Sequence, residues 1–146
     1  MHPFVTVTVC SVALLLVTAA EAQSIRTFDD EEARAAFSSG DKQYCSVNAQ
    51  NERELEQCLS KQAEYAEHKL NETYKKIMAQ LPSAKQGDLR QEQRKWIKWR
   101  EAECAKKAKE VEECINGCGV PWAMHVACMA DEANNRTQQL KSQWQQ

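Results

Sequence analysis

Glycine and proline are scarce in this chain, with four and three in 146 residues. An all-β domain needs a turn signal about every 8–12 residues, so that class is poorly supplied. Histidine is also thin: apart from His2 near the N-terminus, only His68 and His125 occur. No G-x-S-x-G, P-loop, GxGxxG or H-E-x-x-H pattern is present, and no carboxylate pair stands out for glycoside hydrolysis. These gaps argue against an enzyme, and nothing implies a cofactor. A dominant charge is missing too. The formal net charge is −2, which excludes a strongly basic nucleic-acid binder and a polyacidic tail.

One apolar run exists, at residues 4–20, ending in Ala20-Glu21-Ala22. A hydrophobic segment followed by an A-x-A-like site reads as a secretory signal over 1–22, cut before Gln23. The run falls short of the ~20 apolar residues of a spanning helix and has no basic flanks, so the chain is not expected to span a membrane. Cys10 lies inside the run behind Val9, the wrong place for a lipid anchor. The expectation is a periplasmic or secreted protein of 124 residues.

Without Cys10, six cysteines remain: Cys45, Cys58, Cys104, Cys114, Cys118 and Cys128. An even number in an exported chain implies disulfides, with the pairing open. A local Cys114–Cys118 bridge is the favoured pair. The alternative is a zinc set of Cys114, Cys118, His125 and Cys128, which would need reduced thiols that export disfavours. No metal is therefore expected.

Residues 23–44 form a polar leader with the acidic run Asp29-Asp30-Glu31-Glu32. It is either a short helix capped by Asp29 or Asp30 and ending near Ser38-Ser39-Gly40, or a mobile arm. Residues 45–146 make up the helical domain. From about Asn48 to Leu81, apolar positions recur in steps of three and four through Cys58, Ala66, Leu70, Tyr74 and Ile77, predicting one long amphipathic helix ended by Pro82. Asp88 with Gln91 predicts a capped start for a second helix, whose inner stripe carries Leu89, Gln93, Trp96, Ile97, Arg100 and Cys104. Gly117 and Gly119 break it, and Pro121 opens a third helix lined by Trp122, Ala130, Ala133, Thr137, Leu140 and Trp144. The fold class is all-α: a small antiparallel helical bundle of three main helices, disulfide-stapled at the end opposite Pro82.

Polar residues near the inner stripes, Asn71, Gln93 and Arg100, predict a satisfied network between helices. Charge is unevenly spread. Residues 88–109 hold eight basic and four acidic side chains, whereas 110–146 hold two and five. A basic partner would meet the leader or the C-terminal third, and the second helix would face an anionic surface. The loop containing Asn116, Gly117, Gly119, Pro121 and Trp122, closed by two cysteines, is a candidate partner-binding element because a constrained loop inserts at lower entropic cost.

Several elements recur together: Glu54-Leu55-Glu56-Gln57-Cys58; Leu70-Asn71-x-x-Tyr74; Gln93-Arg94-x-Trp96-x-x-x-Arg100-x-x-x-Cys104; and Cys128 with Arg136-Thr137-x-x-Leu140. Their order and spacing resemble the LprI-type lysozyme inhibitor family, small exported bacterial proteins, over about Cys45 to Leu140. Glu56, Glu67 and Glu101 depart from that pattern, and Cys114 and Cys118 look like additions to it. The resemblance implies a protein that binds and blocks a lysozyme or related peptidoglycan-cleaving enzyme. In it Leu70, Asn71, Tyr74, Gln93, Trp96 and Arg100 serve structure and no residue is catalytic. A basic side chain filling the enzyme's carboxylate-lined cleft is one way to inhibit, with Lys141 and Arg136 the cations of the acidic third. The alternative is a non-enzymatic envelope protein that binds cell wall or anionic lipid through the second helix, with Lys95 and Lys98 as contacts.

Overall fold

A computed structural model describes residues 28–114 and 119–144. The signal segment, and Asn116, Gly117 and Cys118 of the loop, lie outside the described residues. Five helices follow in order: α1 (Glu31–Ser39), α2 (Tyr44–Asn48), α3 (Glu52–Gln80), α4 (Ser83–Glu112) and α5 (Pro121–Trp144). No strand occurs among the described residues.

Each boundary has a local cause. The Asp30 carboxylate accepts from the Ala33 N–H at 2.8 Å, and Glu31 and Glu32 sit in the first turn of α1, where they oppose the positive end of the helix dipole. Gly40 ends α1 in the left-handed region at φ 75°, a conformation a Cβ would strain. Over its described residues, 28–44, the leader therefore carries the capped helix, and Phe28, Ala33 and Phe37 are buried.

The long first helix starts later than the periodicity suggests, at Glu52 rather than near Asn48. Asn51 accepts from the Glu54 N–H at 3.0 Å while the Glu54 carboxylate accepts from the Gln50 N–H, a reciprocal cap that fixes the start. Residues 44–48 form their own short turn of helix.

The second long helix starts earlier than expected. Asp88 is exposed and lies in the interior of α4, which begins at Ser83 directly after Pro82. Gly87 interrupts nothing because its surroundings are open, and one exposed helical glycine costs only ~1 kcal/mol. The Gln86 side chain donates to the Leu81 carbonyl at 2.9 Å, so a side chain of α4 satisfies a carbonyl just past the end of α3. Pro121 occupies the first position of α5, as expected.

α5 packs closely along both α3 and α4. It runs parallel to α3 and antiparallel to α4, and small residues, Ala130 and Ala133, are buried at its centre. One core cluster fills the Pro82 end, with Leu70, Ile77, Leu89, Trp96 and Leu140. A second lies beneath α1 and α2, where Phe28, Phe37, Tyr44, Cys45 and Cys58 meet Trp122 and Val126. Phe37 and Tyr44 stack edge to face at 5.7 Å.

Cys45 bonds Cys58, tying α2 to α3, and Cys104 bonds Cys128, tying α4 to α5. Cys128 is thus unavailable to the zinc set weighed above. Cys114 is disulfide-bonded as well; the expected bridge to Cys118 falls outside the described residues. Asp29 pairs with Lys61 of α3 at 3.0 Å. The hydrogen bond and charge of Asp29 raise the Lys61 pKa, so this small exposed contribution is present at neutral pH and is lost as pH rises through that raised value.

Replacing Cys104 and Cys128 together by Ser should lower unfolding free energy by about 3 kcal/mol, the closure entropy of a loop of this length. Urea denaturation of the two oxidised proteins measures it, and an unchanged midpoint would contradict the staple.

Candidate functional site

α4 is 30 residues long yet buries only Leu89, Trp96, Arg100 and Cys104. Their spacing of seven, four and four places them on one stripe. At its centre the Trp96 indole is approached by two cations. The Arg100 guanidinium carbon is 4.6 Å from the ring centroid and that of Arg136, from α5, is 5.8 Å away. Both arginines are buried, at 7% and 4% exposure.

Each guanidinium has a carboxylate partner that reaches the surface. Arg100 pairs with Glu67 of α3, and Arg136 with Glu92 of α4 at 2.9 Å. The Arg136 Nε also donates to the Gln93 Oε1 at 3.0 Å. Arg100 Nε and Arg136 Nη2 have no hydrogen-bond acceptor among the described residues, and the face of the indole is the group that offsets their burial. The unit thus joins α3, α4 and α5 through one ring, two cations and two carboxylates. A buried charge is tolerated only when paired in this way.

Of the residues singled out in the sequence, Gln93, Trp96 and Arg100 meet here. Leu70 is buried in the adjoining core and Tyr74 packs against it. Asn71 does not join them. It is exposed beside His68, Glu72, Lys75 and Lys76, because the inward face of α3 passes through Leu70, Thr73 and Ile77 and a step of one residue turns about 100° away. Arg136, named with Lys141 as a cation of the acidic third with no choice made between them, is buried and belongs to this unit. Its place between Ala133 and Leu140 on the inner stripe is the signal that would have found it.

At the opposite end, Trp122 is half-buried against the second core cluster. Gly119 has φ 132°, and Val120 and Met124 are 36% and 39% exposed. Charge separates by the ends of the bundle more sharply than by helix. Residues 69–100 and 133–144, around the Pro82 turn, hold eleven basic and three acidic side chains. The remaining described residues, toward the disulfides, hold seven basic and seventeen acidic.

The model of the lysozyme inhibitor LprI family matches residues 45–140. The chain belongs to the LprI family. No curated protein and no solved structure matches it. The LprI interval opens on Cys45 and closes on Leu140, both buried, and it contains the whole arginine–tryptophan unit. α1 lies outside the interval although it completes the second core. The disulfides of this LprI chain fit an oxidising, extracytoplasmic setting, and no helix among the described residues is long and apolar enough to cross a membrane.

Trp96→Leu should destabilise the oxidised protein by about 3 kcal/mol, since it removes core volume and uncovers both guanidiniums. In a double-mutant cycle with Arg100→Met, a coupling of about 1 kcal/mol is expected. Strict additivity in urea denaturation would mean that the ring and the cation act independently.

Proposed function

We propose that this protein is an exported inhibitor that binds a lysozyme or a related peptidoglycan-cleaving enzyme in the periplasm or outside the cell. The observation that carries the reading is the family match over residues 45–140. Two further features support it. Disulfide-tied helices suit a binding scaffold that must persist outside the reducing cytoplasm. The excess of acidic side chains around the disulfide end complements the strongly basic surface common among lysozymes, and such complementarity raises association rates and selects partners.

The enzyme-facing element in this reading is the disulfide end. It combines the loop holding Asn116, Gly117, Gly119, Pro121 and Trp122 with the exposed apolar Val120 and Met124 and the carboxylates of Glu112 and Glu113. A loop closed by two cysteines, with exposed apolar side chains and carboxylates beside it, is suited to entering a cleft. Lys141 lies at the other end of the bundle and takes no part. Arg136, being buried, cannot act as the plug.

Titrating the oxidised chain from Gln23 into lysozymes of several classes, with cell-wall lysis as the readout, should give stoichiometric inhibition of one class that weakens as salt is added. Glu112→Lys combined with Glu113→Lys should weaken that inhibition about tenfold at low salt. Failure of the folded, disulfide-bonded protein to inhibit any class would overturn the reading.

A further inference from the structure

The basic side chains of the two ends differ in what they touch. Toward the disulfides, Lys42 pairs with Asp131, Lys106 with Glu110, Lys107 with Glu103 and Glu132, and Lys109 with Glu113. On the middle stretch of α4, Arg90, Arg94, Lys95 and Lys98 are all exposed and none has a carboxylate partner among the described residues. One helix therefore carries neutralised cations along its last turns and unneutralised cations along its middle.

The unneutralised set is ordered. Arg90, Arg94 and Lys98 succeed one another at four-residue intervals, about 6 Å apart along the axis. Lys95 neighbours both Lys98 and Trp99 at helical spacing. Trp99 is 49% exposed, an aromatic face set beside a row of like charges. The other aromatic of this helix, Trp96, points inward, as does Leu89. Ile97 is also exposed, at 37%, but it lies about 160° round the helix from Trp99. α4 thus offers no continuous apolar face to embed in a bilayer, which an interfacial helix requires.

We infer that the outer face of the middle of α4, Arg90, Arg94, Lys95 and Lys98 with Trp99, is a docking surface for a linear anionic polysaccharide. The cations meet its phosphate, sulfate or carboxylate groups, and the Trp99 ring lies against a sugar face. The surface is separate from the disulfide end, so one molecule can hold the polymer and an enzyme at once. The inference does not rest on the inhibitory reading, and the two fail separately, one in a polymer titration and the other in a lysis assay.

The test is a titration of the oxidised protein with dextran sulfate, with neutral dextran and anionic phosphatidylglycerol vesicles in parallel. Saturable binding to dextran sulfate that weakens with salt is expected, with neutral dextran unbound. Arg94→Glu with Lys95→Glu and Lys98→Glu should weaken it at least about tenfold. Lys106→Glu with Lys109→Glu, on the same helix, should change it less than about twofold. Trp99→Ala should weaken it several-fold at a salt concentration that screens the charges, with unchanged helicity as the control for folding. The proposal is overturned by equal binding of neutral dextran, by tighter binding to the vesicles, or by equal sensitivity to the two charge-reversal variants.

Discussion

Taking a guanidinium out of water costs several kcal/mol unless donors and charge are answered nearby, and this small bundle buries two. The answer is shared. Trp96 offers a face to both cations, Glu67 and Glu92 reach in from half-exposed positions, and Gln93 accepts from Arg136. Because the partners come from α3, α4 and α5, the cost is offset only in one register. A slip of α4 by a turn would leave the charges buried and unpaired. α4 otherwise buries little, so this unit and the Cys104–Cys128 bond hold it to the bundle.

Much of this was legible in the sequence, and the exceptions are physical. Apolar steps of three and four marked the long helices, Pro82 and Pro121 marked their ends, and Gln93 and Arg100 on an apolar stripe marked a polar network. The start of α4 was not legible because Asp88 with Gln91 has the form of a cap. Pro82 and the Gln86 side chain settle the turn earlier. Asn71 was misplaced because adjacency in sequence to Leu70 is not adjacency on a helix face. Arg136 could not be told from Lys141 because its neighbourhood in sequence is acidic, whereas its neighbourhood in space is an indole and a carboxylate. The loop residues proposed to contact a partner carry no interior packing pattern beyond Trp122, so nothing in periodicity identifies them.

The two-ended charge layout arises only on folding. Along the chain, the second long helix reads as basic as a whole. In three dimensions its later lysines are matched by carboxylates of its own last turns and of α5, and the stretch up to Lys98 remains positive. A protein with almost no net charge thus acquires a large dipole along its axis. Such a dipole orients the molecule during an encounter before any contact is made.

α5 lies against both other long helices yet is the last of them in the chain. The pairing of α3 with α4 is local, but their backbones approach closely at far fewer positions than α5 does with either. Leu70 and Ile77 share their cluster with Leu89 and Trp96 of α4 and also with residues some sixty positions later, such as Ala133 and Leu140. The core therefore cannot close until almost the whole chain has emerged, and a product ending before residue 130 lacks Ala133, Arg136 and Leu140, which leaves the inner stripes of α3 and α4 partly uncovered. Contacts between distant parts of a chain form slowly because the loop entropy is lost before they stabilise anything. The order of elements thus keeps the chain open until synthesis is nearly complete and makes incomplete copies easy prey for proteolysis.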